Sequence, residues 1–187
     1  MIKFHETIGA GRRAEQEVID VLRRYTRHVY NSVRVDTLLT KKGDTEIDVL
    51  AAIADVILVV EVKNVRKIDG ELKNTFWSLE GMETGQRYST LNVLMQNRIH
   101  LRSFRNAWQS RHGKAPGIIS TIVVPNGCQV CESLQSCGIL TVHEFSQQIA
   151  EIASHNIKCL HGYALDYLVK EGHGHINRPD FVGGNNG

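Results

Sequence analysis

The feature that most constrains this chain is the stretch EIDVLAAIADVILVVEVKN, residues 46–64. Two apolar, largely β-branched runs flank Ala54-Asp55, as in a hairpin folded into a core. A tight turn at Ala54-Asp55 sets Asp48 directly opposite Glu61, with Cβ atoms ~4.5–5.5 Å apart. Like charges so placed destabilise a sheet, and apolar neighbours add a desolvation cost. Something must neutralise them. Lys63 lies two residues beyond Glu61 and shares its face, ~6.6 Å farther along the strand. A plain Glu61–Lys63 ion pair is one answer, worth little on a partly exposed hairpin. A hard divalent cation is the other, because Mg²⁺ is held by one or two carboxylates, water and phosphate oxygens. The two answers are compatible: a metal beside an ammonium can polarise a phosphate and lower the pKa of a bound water.

The rest of the chain gives this hairpin a setting. Ala14, Val18, Leu22 and Tyr25 recur at helical spacing within Thr7–Tyr25. Gly9 and Gly11 weaken the first turn, so the regular helix is expected from Arg12. Val29–Val35 alternates as a strand does, and Lys41-Lys42-Gly43-Asp44 is a turn signal. Residues 65–91 give no clear assignment beyond the apolar anchor Phe76-Trp77. Leu91–Arg111 is a second helix with Leu94, Leu101, Phe104 and Trp108 as its apolar stripe. Gly117–Val124 is a strand covered on both faces, Ile139–Val142 a shorter strand, and Glu144–Ala153 an amphipathic helix. The succession implies an α/β fold around a mixed sheet, part hairpin and part crossover. With 187 residues and 42% hydrophobic content, the chain suits one domain with a sizeable core. Its expected extent is residues 1–160, with 161–187 as an extension whose end is disordered.

The pattern Gly11-x-x-Ala14-Glu15, Thr45-Glu46-Ile47-Asp48, Val60-Glu61-Val62-Lys63-Asn64, Trp77 and Leu94-Met95-Gln96-Asn97 resembles the nuclease-related (NERD) domain. That family belongs to the PD-(D/E)xK nuclease superfamily, with its restriction-endonuclease-like αβββαβ core of a mixed sheet flanked by helices. The resemblance covers roughly residues 8–145. It implies a metal site, Mg²⁺ or Mn²⁺, at Asp48 and Glu61 with support from Glu15. It also implies that Lys63 sits at the attacking water or scissile phosphate, and that Gln96 orients the site. Residues 92–97 read NVLMQN, whereas the family more often has a proline before the leucine.

A formal net charge of +2 and a pI of 8.4 do not by themselves announce a nucleic-acid partner. The charge is local, however: no acid lies between Thr84 and Cys131, while Arg87, Arg98, Arg102 and Arg105 do. Such a block is what phosphate-backbone binding needs. The last three form a helical stripe that points largely away from Gln96, which as a bare charge pattern reads as a solvated face. Cys128, Cys131, Cys137 and Cys159 could make a structural zinc site, but only one CxxC pair is present. As small buried residues around a turn and short helix they need no metal. No run of ~18 apolar residues and no signal-peptide core are visible, so a cytoplasmic protein without membrane contact is expected. The resulting expectation is a Mg²⁺- or Mn²⁺-dependent deoxyribonuclease, with RNA and a homo-oligomer left open. The alternative is a non-catalytic nucleic-acid-binding or assembly module on the same fold.

Overall fold

The computed structural model describes residues 3–155, 158–171 and 175–176. The chain runs α1 (Lys3–Arg23), β1 (Val29–Asp36), β2 (Asp44–Ile53), β3 (Val56–Val62), β4 (Val65–Asp69), β5 (Phe76–Gly81) and β6 (Arg87–Leu91). It continues through α2 (Val93–His112), β7 (Gly117–Val124), β8 (Gln129–Val130), β9 (Ile139–Thr141), α3 (Val142–Ser154), α4 (Gly162–Glu171) and β10 (His175–Ile176). Without β4–β6, the order α1–β1–β2–β3–α2–β7 is the αβββαβ core, in a mixed sheet flanked by helices.

The main sheet has the order β10-β1-β2-β3-β7-β9. β1, β2 and β3 pair antiparallel, whereas β3–β7 and β7–β9 pair parallel, the first through a crossover that includes α2. Helices cover both faces, which is why the hairpin reads as nearly continuous apolar sequence rather than alternating. On one face Val18 and Leu22 of α1 and Phe145 and Ile149 of α3 meet Val49, Ala51, Leu58 and Val60. On the other, Phe104 and Trp108 of α2 and Leu165 and Leu168 of α4 meet Leu50, Ala52, Ile57 and Val59. Residues 65–91, opaque in sequence, supply three strands of a second sheet in the order β6-β5-β4-β8. Trp77 and Leu79 fill its inner side against Ile122 and Val124 of β7.

Two expectations need correction. α1 starts at Lys3, not Arg12, because each helical glycine costs only about 1 kcal/mol and the packed Ala14–Leu22 stripe anchors the whole helix. On α2 the buried face is rotated: Leu94 and Leu101 are half-buried, while Val93, Asn97, His100, Ser103 and Phe104 are buried. His100 there meets Glu61 at the charged end of the hairpin, so apolar periodicity alone misplaces the face. α4 packs in the same core as α2, and residues beyond 176 lie outside the described ones.

Helix ends follow local chemistry. Asn92 caps α2, its side-chain oxygen accepting from the amides of Leu94 and Met95 at 3.0 and 3.3 Å. Its amide also donates to Asn74 O at 2.9 Å, so asparagine fixes the entry into α2. Thr141 and Glu144 form a capping box on α3. Thr141→Ala is expected to cost about 1 kcal/mol, seen as a lower urea midpoint at unchanged m-value.

Candidate active site

The hairpin closes as its sequence demands. Ala54 takes a left-handed φ of 50° in the two-residue turn, as tight hairpin turns require. β2 and β3 then pair from Ile53↔Val56 to Val49↔Val60. One step farther, where Asp48 and Glu61 face each other, the ladder opens. β2 stays with β1 as far as Asp36↔Asp44, while β3 follows β7 to Val62↔Val123. In the gap the Val62 amide donates to Asp48 Oδ2 at 2.7 Å, a side-chain acceptor replacing the missing main-chain one. The parting of two strands held by different neighbours makes room for a site between their charged ends.

Strand alternation puts Asp48, Glu61 and Lys63 on the α2 side of the sheet. Glu61 is fully buried. Lys63 Nζ stands 2.5 Å from its Oε1 and His100 Nδ1 3.0 Å from its Oε2. These distances are short, yet neither contact has hydrogen-bonding angles, and both oxygens lack a hydrogen bond. Glu61 is neutralised in charge with its lone pairs unsatisfied. Burial works to raise its pKa, but His100 and Lys63 outweigh it and hold the carboxyl below its usual value. Burial opposes the charge on Lys63 too, and Glu61 and Asp48 hold its pKa above normal. Asp48 is the loser in this arrangement. Burial, then the charge of Glu61, pushes it up to about 7 against the Val62 amide and Lys63.

Glu15 enters from α1, which covers the opposite face. It is half-buried, and burial followed by the charge of Glu46 raises its pKa, with Glu61 adding to the effect. Among the described residues no three His, Cys, Asp or Glu side chains form a group that could hold a metal ion. Gln96 does reach the hairpin: with Glu46, Asp48, Thr90 and His100 it lines a cleft of ≈ 420 Å³ between β2, β6 and α2. His100 is the site residue that sequence reasoning did not single out, although its place one helical turn after Gln96 was the available signal.

The other sequence-derived residues lie elsewhere. Arg98, Arg102 and Arg105 are exposed on the outer side of α2. Arg87 sits on β6 with its Nε 3.2 Å from Glu80. The zinc set is not assembled. Cys128, Cys131 and Cys137 pack beneath the second sheet, whereas Cys159 donates to Ala52 O at 3.4 Å in the core under α2 and α4. All four are free thiols, and burial pushes that of Cys128 up to about 11. They are half-buried against two different core clusters, because the chain after α3 returns to another part of the core.

Among the described residues no helix is long and apolar enough to cross a membrane. No curated protein and no solved structure matches the chain. The family model of the nuclease-related domain matches residues 10–125, which spans α1 through β7 and contains every group around the opened hairpin. The chain therefore belongs to the nuclease-related domain (NERD) family.

Proposed function

We propose that this chain hydrolyses phosphodiester bonds in DNA with Mg²⁺ or Mn²⁺ held at Asp48 and Glu61. The observation that carries the reading is the opened end of the hairpin, where two carboxylates and an ammonium share one side of the sheet and Asp48 lines a cleft. The donor set fits a hard divalent cation. Glu61 has two buried oxygens without hydrogen bonds, and Asp48 is a carboxyl whose proton a cation would displace. Such an ion, when bound, lowers the pKa of a water and neutralises charge on the phosphate. The chain's own groups do the rest. Lys63, released from Glu61, is placed to meet the phosphate or the attacking water. Gln96 lines the cleft and orients what enters it, while Glu15 adds negative charge from the α1 side. The exposed arginines supply long-range attraction for a polyanion.

The test is nicking of plasmid DNA with Mg²⁺ or Mn²⁺ by the protein and its Asp48→Ala variant. Cleavage in the parent and none in the variant is expected, and equal nicking in both would trace the activity to a contaminant. A second reading, a DNA-binding module without catalysis, draws support from the pairing of Glu61 with Lys63. Binding that persists in EDTA, with no cleavage under any metal, would select it.

A further inference from the structure

Away from the cleft, the second sheet carries a row of charges on its outer side. Register sets Arg87 opposite Glu80 on β5, Glu80 opposite Lys67 on β4, and Lys67 beside Gln129 on β8. One lateral line therefore crosses all four strands. Arg66 joins it from a break in register between Val65 and Lys67, the kind of bulge that re-aims a side chain. Its guanidinium closes on Glu80 Oε1, while Arg87 Nε meets Oε2 at 3.2 Å. The turn before β6 packs against it: a Cβ at Gly85, where φ is +62°, would come within 3.0 Å of Arg66 Nη2. Lys67 is steadied by Asp69 at 3.0 Å.

These residues enclose a second cleft of ≈ 390 Å³, with Gly127 and Gln129 completing the wall. Three cations and one carboxylate line it. Glu80 is nearly buried, but the side chains of Arg66 and Arg87 remain 54% and 63% exposed. Each guanidinium has five N–H donors, and Glu80 engages only part of them. The carboxylate thus fixes two guanidiniums while leaving donors turned outward and positive charge in excess. A rigid fork of this kind suits the tetrahedral oxygens of a phosphate. A stabilising cross-strand pair needs only one arginine; the second arginine, the lysine and the open volume are surplus to that role.

The position fits the substrate. Arg66 follows Lys63 by three residues, so their Cα atoms lie within ~11 Å. β6 is the edge strand: Arg87 sits on its outer side, while Thr90 lines the first cleft. We infer that Arg66 and Arg87, preset by Glu80 and flanked by Lys67, form a second phosphate-binding site that grips the DNA backbone a short distance from the scissile position. The inference rests on nucleic acid being the ligand of the first cleft.

The test uses the full chain carrying Lys63→Ala, in EDTA, so that no cleavage interferes. Affinity for a fluorescein-labelled DNA duplex is read by anisotropy over a range of salt. Changing Arg66 and Arg87 together to Gln keeps hydrogen bonds to Glu80 but removes two charges. The slope of log K against log salt should shrink by about two. Gln129→Lys adds a cation at the far end of the row without disturbing Glu80, and should steepen the slope by about one. Both slopes unchanged, with DNA still bound, would overturn the second site and leave the nuclease reading standing. No binding in EDTA either by the Lys63→Ala parent or by the chain with Lys63 intact would overturn both.

Discussion

Lys63→Ala is expected to slow plasmid nicking by about 10²–10³-fold, the usual loss when one preorganised electrostatic partner of a transition state is removed. Among the described residues no Lys or Arg lines the cleft with Asp48 and Gln96, and Lys63 is held beside it by Glu61. Its side chain is only 19% exposed, and its charge is maintained by Glu61 and Asp48 despite burial. A cation so held acts on a nearby phosphate through a low effective dielectric, where each charge counts for more than in water. Single-turnover cleavage at saturating Mg²⁺ measures the effect, with anisotropy in EDTA separating chemistry from binding. Equal cleavage rates in parent and variant would remove Lys63 from the mechanism.

Asp48→Asn should raise stability while abolishing cleavage. In the folded chain Asp48 titrates at about 7, against about 3.9 for an unfolded aspartate. Between those values the folded state binds more protons than the unfolded one, so stability falls as pH rises through that window. Three units correspond to about 4 kcal/mol at most. Asp48 borders an open cleft, so solvent screening reduces this to about 2 kcal/mol. Asparagine keeps an oxygen for the Val62 amide and removes the charge facing Glu61. The variant should therefore match the parent near pH 4, exceed it by about 2 kcal/mol at pH 8, and lose cleavage. Urea unfolding at the two pH values checks the sign. Mg²⁺ should stabilise the parent at pH 8 and leave the variant nearly unchanged, because a ligand that binds only the native state raises its stability.

A site that costs stability is also where local sequence rules should fail, and the two helices beside the hairpin show how. α2 was visible from its periodicity, but its buried face was not. Asn97, His100 and Ser103 break the apolar stripe, and only the neighbouring Glu61 explains why a histidine is buried there. α1 was visible from Ala14, Val18 and Leu22, yet nothing in that spacing says which side of the sheet it covers. The packing of Ala14, Val18 and Leu22 puts α1 on the face opposite α2, and Glu15 is near enough to the hairpin's charged end for Glu61 to help raise its pKa. The cysteines failed for a similar reason: Cys159 is 22 residues beyond Cys137 in sequence, and α3 carries the chain to another core cluster between them.

Residues 46–64 by themselves determined the hairpin, its turn at Ala54-Asp55 and the facing of Asp48 with Glu61. Strand pairing around a two-residue turn admits one register, and alternation then assigns every side chain to a face. Tertiary structure decided what those carboxylates meet. The separation of β2 from β3 depends on which outer strand each follows, and the burial of Glu61 against His100 depends on how α2 is laid across the sheet. The Arg66–Glu80–Arg87 cluster depends on pairing among strands drawn from a stretch with no periodic signal. Contacts of this kind join residues distant in the chain, so no local pattern of polarity could have announced them.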